Sequence, residues 1–183
     1  MNNKPKIILH TCCACCLAGV IENLTEFIPL IFYYNPNIYP EAEYKKRLQE
    51  VIKVAKLYGL ELIEGAKDFQ AWTLYIKGFE NEKEGGERCK LCFRLRMKKT
   101  KEKAKQLNIN YATTTLTISP YKNFKIIKAI SEGLNDNGFN FIVYDFKKKE
   151  GYLKSIKESK RLGLYRQHYC GCVYSLRDNN NEK

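Results

Sequence analysis

The stretch Lys6-Ile7-Ile8-Leu9-His10-Thr11-Cys12-Cys13-Ala14-Cys15-Cys16 decides how the rest of the chain is interpreted. Its apolar beginning predicts a buried strand, and residues 17–23 predict a helix. Four of the chain's eight cysteines therefore fall on one strand-to-helix turn, a density that packing alone does not require. In open α/β sheets such turns lie at the carboxyl edge, where ligands bind and helix N-termini present unpaired N–H groups.

Strands and helices are predicted to alternate along the remainder of the chain. Further strands are expected at residues 27–34, 61–64, 111–116 and 141–144, and helices at 41–58, 67–79, 89–107, 118–133 and 152–162. This order predicts an α/β fold, a Rossmann-like and mostly parallel sheet of about five strands with helices on both faces. Residues 1–177 are predicted to form a single domain, followed by a disordered polar tail at 178–183.

The overall charge favours a polyanionic partner. The 183 residues carry a formal net charge of +12, which is typical of nucleic-acid binding, although a coding bias toward lysine would give the same composition. No segment reaches the ~18 consecutive apolar residues of a membrane span, and the N-terminal residues lack a signal peptide's apolar region. We therefore expect a cytoplasmic protein without a membrane partner, where clustered cysteines are typical of metal or redox sites.

The eight cysteines fall into three short groups. These are Cys12, Cys13, Cys15 and Cys16, then Cys89 and Cys92, and finally Cys170 and Cys172. Structural zinc, an iron–sulfur cluster and a dithiol redox centre are all compatible with such groups. The side chains of adjacent residues such as Cys12 and Cys13 diverge, so they suit two corners of a cubane better than one tetrahedral ion. Cys170-Gly171-Cys172 is a further centre, either a thiol–disulfide pair or ligands to another metal.

A collinear set of motifs extends over nearly the whole chain. The set comprises His10-Thr11-Cys12-Cys13-Ala14-x-Cys16, Tyr34-Asn35-Pro36-Asn37-Ile38 with Arg47, Gly85-Gly86-Glu87-Arg88-Cys89-x-x-Cys92-Phe93-x-x-Arg96, Thr113-Thr114-Thr115-Leu116 with Ser119-Pro120-Tyr121, Asp145-Phe146, and Leu164-Tyr165-Arg166-Gln167-x-Tyr169-Cys170-Gly171-Cys172. In these motifs the sequence resembles the cobalamin-independent epoxyqueuosine reductases, the QueH family. The resemblance implies a fold like that of the adenine-nucleotide hydrolases (HUP-like). It also implies the last step of queuosine biosynthesis, in which the epoxide of epoxyqueuosine at the wobble position of tRNA is reduced to queuosine.

The resemblance implies a role for most of the cysteines. Cys12, Cys13, Cys89 and Cys92 look like the ligands of a 4Fe-4S cluster, and Cys170 with Cys172 looks like a redox-active pair. Cys16 would bind an additional mononuclear iron, with Asp145 as an oxygen ligand. Cys15 stands where the family usually has proline, a residue that suits the first helical turn. Cysteines replace the glycine-rich phosphate loop of the superfamily, so ATP is not expected. The resemblance to a cobalamin-independent family implies that cobalamin is not expected either.

Other side chains complete the predicted site. His10 is a candidate proton donor or a packing residue at a strand end, and Tyr34 is a candidate stacking platform for an extruded base or an ordinary core residue. The candidates for tRNA phosphate contacts are Arg88, Arg94, Arg96, Lys98 and Lys99, with a solvated helix face as the alternative for each. The expected partners are tRNA carrying epoxyqueuosine and an unidentified low-potential electron donor.

Two other functions fit parts of the pattern. An iron–sulfur tRNA sulfur transferase would share the fold, but it would need an ATP-binding loop that the first turn lacks. A non-catalytic, zinc-stapled RNA-binding module would be colourless and contain zinc. A brown protein with broad absorption at about 400 nm after anaerobic purification would favour the reductase over the zinc module.

Overall fold

A computed structural model describes residues 4–148 and 150–176 of the chain. Its strands form one parallel sheet in the order β3-β2-β1-β4-β5. The strands are β1 (Lys6–His10), β2 (Ile28–Tyr33), β3 (Leu62–Glu64), β4 (Tyr111–Thr114) and β5 (Asn140–Phe141). The predicted α/β class and parallel sheet are therefore confirmed. The predicted tail at 178–183 lies outside the described residues.

Helices cover both faces of this sheet. They are α1 (Ala14–Val20), α2 (Glu41–Leu57), α3 (Phe69–Tyr75), α4 (Glu87–Gln106), α5 (Phe124–Glu132) and α6 (Gly151–Arg161), with short 3-10 turns at Ile21–Asn23 and Thr115–Ile118. Successive side chains of a strand point to opposite faces. Ile8 accordingly packs in the core cluster formed with α4 and α5, whereas Leu9 packs in the cluster formed with α1 and α2. Burial on both faces explains why β1 is apolar throughout its interior.

The strand order reverses at β1. The chain passes from β1 through β2 to β3 on one side, and then crosses to β4 and β5 on the other. In open α/β sheets ligands bind in the crevice outside the carboxyl ends of the strands at this reversal. Cys12 follows β1 and Thr115 follows β4 at this point, and the Cys12 amide donates to Thr115 Oγ1 over 3.2 Å. The cysteine-rich turn therefore stands in the crevice.

Several predicted boundaries are wrong: α1 begins at Ala14 instead of residue 17, and α3 ends at Tyr75 instead of residue 79. Three others are wrong for local reasons. The strand predicted at 111–116 ends at Thr114, whose Oγ1 accepts a hydrogen bond from the Leu116 amide and starts a 3-10 turn. The helix predicted from 118 begins at Phe124, capped by the side chain of Asn123. The strand predicted at 141–144 keeps only Phe141, because the chain then leaves the sheet and the Tyr144 carbonyl accepts from the Thr117 hydroxyl.

Gly19 permits the close approach of α1 to α6. A Cβ at this position would lie 2.4 Å from Ser155 Cβ and 2.6 Å from Ile118 Cδ1. We expect Gly19→Ala to lower the free energy of unfolding by roughly 1–3 kcal/mol, because the contact with Ser155 involves atoms that cannot rotate away. Urea denaturation would measure this loss. Gly133→Ala is the matched control, since its nearest neighbours would be 3.7 Å away, and equal effects of the two substitutions would contradict the close packing.

Candidate active site

A cavity of about 880 Å³ opens at the carboxyl edge of the sheet. Its walls come from the cysteine-rich turn after β1, the loop after β2, α2, α4, residues 118–122, α6 and residues 166–170. The volume is within the usual range for a small-molecule site. Segments that are far apart in the sequence therefore meet where the strand order reverses.

Three thiols meet in the floor of this cavity. The sulfur atoms of Cys12, Cys13 and Cys16 all lie within 4.8 Å of one another, and those of Cys12 and Cys13 are 4.0 Å apart. Cys13 has an extended backbone immediately before α1, and Cys16 follows one turn later, so the start of the helix brings the three side chains together. Thiolates are soft ligands that select zinc, copper(I) and iron–sulfur centres. This group is a candidate metal site.

The three thiols differ in pKa because they interact with one another. Hydrogen bonding with Cys13 and Cys16 holds the pKa of Cys12 well below its usual range, assisted by the charges of Lys122 and Arg96. The same interaction raises the pKa of Cys13 to about 12 and raises that of Cys16 as well. Cys12 is therefore the member of the group that ionises first, and thiolate is the form that binds a metal.

Two cations flank the thiols in the cavity wall. Arg96 is 2% exposed, and its Nη2 donates to Asn35 Oδ1 over 2.6 Å. Lys122 is half-buried; burial opposes its charge, but Cys170, Cys12 and Cys16 outweigh burial and raise the pKa of its ammonium. Because an unpaired buried cation is unfavourable, both positions favour negative charge in the cavity. Arg96 was predicted as a tRNA phosphate contact with a solvated helix face as the alternative; it lies instead in the interior on the cavity wall, so the solvated face is ruled out and the phosphate role stays a prediction.

His10 holds Arg96 in place. Burial, and next the charge of Arg96, lower the pKa of His10 to about 3, so its ring is neutral at physiological pH. The Arg96 Nε donates to His10 Nε2 over 3.3 Å, and His10 Nδ1 lies 2.8 Å from Thr114 Oγ1. His10 Nε2 also lies 3.2 Å from the Tyr34 carbonyl oxygen, so both ring nitrogens face polar atoms of the interior. The proton-donor role stays a prediction; the observed contacts are those of a positioning residue.

The second cysteine pair lies on the first turn of α4, outside the three-thiol group and away from the cavity wall. Cys89 Sγ accepts a hydrogen bond from the Gly85 amide over 3.2 Å, while Cys92 is buried with Trp72 and Cys172. Burial raises the pKa of Cys89 to about 12, and the charge of Cys170 is the next cause that raises it. Among the described residues, the group within 4.8 Å contains only Cys12, Cys13 and Cys16, so the predicted set of four cluster ligands stays a prediction.

The C-terminal strap, residues 164–172, brings the third cysteine pair to the site. Cys170 lines the cavity, whereas Cys172 is buried beneath it, with its Sγ 3.4 Å from Ser175 Oγ. Gly171 between them has a φ of +120°, a conformation that favours glycine. Burial is the main cause that raises the pKa of Cys172, and the charge of Cys170 raises it further. Cys170 therefore lies in the same cavity as the first cysteine group. Its charge also helps to raise the pKa of Cys89 and Cys92 on α4 and of Cys172 in the strap.

Arg47 fastens the strap to α2. Its side chain is 2% exposed, and its Nη1 and Nη2 donate to the carbonyls of Cys170 and Tyr169 over 3.0 and 3.2 Å. Its Nε donates to Glu43 over 2.7 Å, and the Tyr165 hydroxyl donates to the same carboxylate. The strap is also bound by α2 through Glu50, which accepts from the Tyr165 amide. Glycine is needed at 171 because a Cβ there would lie 2.9 Å from Arg47 Nη1.

Two predicted site residues have other surroundings. Tyr34 is 4% exposed and stacks on Phe32 with ring centroids 5.8 Å apart, so the predicted base-stacking role is replaced by the core packing that was its alternative. Asp145 is half-buried, and its Oδ1 accepts from the Lys147 amide over 3.3 Å. Asp145 does not line the cavity, and its role as an iron ligand stays a prediction.

The predicted phosphate contacts divide into exposed and buried side chains. Arg94, Lys98 and Lys99 are exposed on α4. Arg88 is 1% exposed and donates to the carbonyls of Glu80 and Glu82, which corrects its predicted surface role.

Cys15 is half-buried, and its thiol donates to the Tyr165 carbonyl over 3.4 Å. Its sulfur thus points toward the strap instead of joining the three-thiol group.

Several cavity residues were missed by sequence reasoning. Arg47 occupies the apolar face of α2 with Tyr44 and Val51, so its spacing was a usable signal of burial. Lys122 had no such signal, because nothing in the pattern distinguishes it from the many other basic residues of the chain. Tyr121 was part of a recognised motif, but its place on the cavity wall depends on a turn that sequence reasoning had assigned to a helix.

Comparison with known proteins identifies the family of this chain. A family model described as "Epoxyqueuosine reductase QueH" matches residues 7–178. Curated relatives of that name are found in Haemophilus influenzae, at 39% identity over 98% of this chain and 75% of that protein, and in Thermotoga maritima, at 34% identity over 93% and 90%. Among solved structures, the chain is similar to the U34-tRNA thiolase NcsA from Methanococcus maripaludis with its 4Fe-4S cluster. The sequence identity is 13% and the TM-score is 0.56, and the match covers 98% of this chain and 67% of the thiolase chain. The thiolase supports the fold alone, whereas the family model and relatives show that the chain belongs to the QueH family of epoxyqueuosine reductases.

Proposed function

We propose that this protein reduces the epoxide of epoxyqueuosine in tRNA, giving the alkene of queuosine. Both carbon–oxygen bonds of the epoxide break, two electrons and two protons are taken up, and the oxygen leaves as water. The observation that carries this proposal is the cavity in which Cys12, Cys13, Cys16 and Cys170 stand beside the cations Arg96 and Lys122. A QueH-family chain with such a cavity has soft metal ligands next to a wall that favours anions. A tRNA substrate would place the reaction in the cytoplasm.

The thiols of the chain fit an iron–sulfur cofactor. Cys12 has a lowered pKa, and the group that it forms with Cys13 and Cys16 in the described part of the chain consists of sulfur donors. We assign a 4Fe-4S cluster to Cys12, Cys13, Cys89 and Cys92, and an additional iron to Cys16. When bound, such a cluster supplies single electrons at low potential. Cys170 and Cys172 are assigned to the passage of reducing equivalents from the external donor.

The protein's own residues serve the departing oxygen. Negative charge develops on that atom as its bonds to carbon break, and donors fixed beforehand stabilise such charge best. Lys122 is held by the Lys147 ammonium, which donates to its carbonyl over 2.9 Å, and Arg96 is held by His10 and Asn35. Both cations therefore stand in the cavity before substrate arrives. The strap excludes water from one side of the same space.

Binding of tRNA is expected to weaken as salt rises, because lysine and arginine release counterions when they neutralise phosphates. Arg94→Ala and Lys83→Ala, which remove exposed cations of α4 and of the cavity mouth, should each reduce the slope of log affinity against log salt by about 1. Lys4→Ala is the control, since Lys4 is exposed beyond the opposite, amino end of β1. Fluorescence anisotropy of labelled tRNA would measure the slopes. Equal slopes for all three variants would contradict the assigned surface.

An anaerobic assay tests the proposed function. The protein would be purified without oxygen, its iron, sulfide and zinc measured, and then mixed with tRNA containing epoxyqueuosine and a chemical reductant. Nucleoside analysis should show conversion of epoxyqueuosine to queuosine. A protein that contains zinc without iron or sulfide, and leaves the epoxide intact, would overturn the proposal. None of the helices in the described part of the chain has the length and apolarity of a membrane span.

A further inference from the structure

Tyr121 is an exposed aromatic ring at the mouth of the cavity. It is 82% exposed, the highest value among the large hydrophobic side chains of the described residues, yet it lines the same cavity as the cysteines. Single exposed aromatic residues are common and need no explanation by themselves. The position of this ring, between the cavity and solvent, is what distinguishes it.

The ring is presented by a rigid turn. The Lys122 amide donates to the Ser119 carbonyl over 3.3 Å, which closes a four-residue turn with Pro120 at its second position, where proline is favoured. The Ser119 amide donates back to the Leu116 carbonyl on one side of the turn. On the other side, Asn123 caps α5. The backbone of Tyr121 is therefore fixed, and stacking against its ring would not require ordering of a loop.

The surroundings of the ring favour a polyanion that also has flat apolar faces. Exposed Lys83, half-buried Lys122 and half-buried Arg166 line the cavity beside it, against one carboxylate, Glu84. Lys147 is close by, since its ammonium donates to the Lys122 carbonyl. Aromatic rings placed among basic side chains are how proteins hold unpaired nucleotides: cations bind phosphates and rings stack on bases.

We propose that Tyr121 stacks on the base next to the target nucleotide in the anticodon loop of tRNA. This inference rests on the proposed function and extends it to the binding of the substrate. An enzyme that acts on a base within a stacked strand must extrude that base, which uncovers the face of its neighbour. With the target nucleoside in the 880 Å³ cavity, the ring at the mouth is placed to cover that face. Tyr121 is thus a positioning residue that keeps the loop open.

Fluorescence of 2-aminopurine tests this stacking. The analogue would replace the base on the 5′ or the 3′ side of the wobble nucleotide in an anticodon stem-loop RNA, and stacking quenches its emission. The wild-type protein and Tyr121→Phe should quench at one of the two positions, because Phe keeps the ring. Tyr121→Ala should lose the quenching and weaken binding by roughly 5- to 150-fold. In turnover, KM should rise in this variant with little change in kcat.

Controls separate stacking from folding and from catalysis. Tyr75→Ala makes the same change on α3 at a residue that does not line the cavity, and it should leave RNA affinity unchanged. Thermal melting should be the same for Tyr121→Ala and the wild type, since the ring is mostly in water. Wild-type affinity and quenching in Tyr121→Ala would overturn the inference while leaving epoxide reduction standing. Quenching that depends on Tyr121 without any epoxide turnover by the wild type would support stacking and overturn the proposed function.

Discussion

Replacement of Cys12 by serine is expected to remove bound iron and to reduce epoxide turnover by ~100-fold or more. Cys12 has the lowered pKa of the three-thiol group because it interacts with the thiols of both Cys13 and Cys16. A serine hydroxyl does not ionise in this range and is a hard oxygen donor, so it cannot replace a soft thiolate ligand. Iron and sulfide per chain, the absorption of the anaerobic protein and single-turnover reduction of epoxyqueuosine tRNA would measure the loss.

Cys15→Ser is the matched control for this experiment. It makes the same atomic change in the same turn, but the Cys15 thiol points to the Tyr165 carbonyl, and a serine hydroxyl there keeps a donor. It should retain iron and turnover within about 3-fold, as for a substitution away from the metal. Cys89→Ser extends the series to the proposed ligands of α4. Iron content equal to that of the wild type in Cys12→Ser would contradict the metal site, and the same result in Cys89→Ser would remove Cys89 from the ligand set.

Arg47→Met is expected to lower the free energy of unfolding by about 3–5 kcal/mol. Methionine keeps the length and the apolar part of the side chain. It leaves the Glu43 carboxylate, which is 11% exposed, without its cation, and the carbonyls of Tyr169 and Cys170 without their donors. The strap that carries Cys170 should therefore separate from α2. Urea denaturation would measure the stability, and turnover should fall together with it because Cys170 leaves the cavity.

The exposed ion pair on the same helix provides the control. Lys45 and Glu41 are 67% and 58% exposed and 3.2 Å apart, so Lys45→Met should cost less than about 1 kcal/mol. The double variant Glu43→Gln/Arg47→Met tests the charge itself. Removal of both charges should be less damaging than the sum of the single effects, since no buried charge is left unpaired. Equal effects of Arg47→Met and Lys45→Met would show that the strap does not depend on Arg47.

The strands and long helices could be predicted because their signals are local. The apolar run before His10 and the helical spacing of Tyr44 and Val51 each depend on only a few neighbouring residues. The observed bounds of β1 and α2 accordingly lie within one residue of the predicted ones. The region from 115 to 124 was mistaken because competing local bonds decide it. The hydroxyl of Thr114 ends one strand, and the side chain of Asn123 fixes where α5 begins. Such caps depend on the rotamer of a single side chain, and the hydrophobic periodicity of the sequence does not predict that rotamer.

The cysteines of the site could be found from sequence, but their grouping and their cations could not. Grouping depends on which segments the sheet brings to one edge, and only the structure places Cys16 with Cys12 and Cys170 in the same cavity. Arg88, Arg47 and Arg96 look like surface residues in any composition argument, yet all three are buried. Their partners are backbone carbonyls and side chains many residues away, such as Asn35 for Arg96. Charge counts therefore overstate the basic surface available to tRNA.

The attachment of the strap to the rest of the molecule allows its opening to be followed separately from unfolding. The Tyr39 amide donates to the Gly171 carbonyl over 2.8 Å. This bond joins the loop after β2 to the strap and involves no strand of the sheet. The amides of β1, by contrast, lie between β2 and β4 in the middle of the sheet. Local opening exposes an amide to exchange at a lower free energy than global unfolding does. Hydrogen exchange at the Tyr39 amide therefore reports the free energy of detaching the cavity wall that contains Cys170. Exchange at the Ile8 amide reports the free energy of global unfolding.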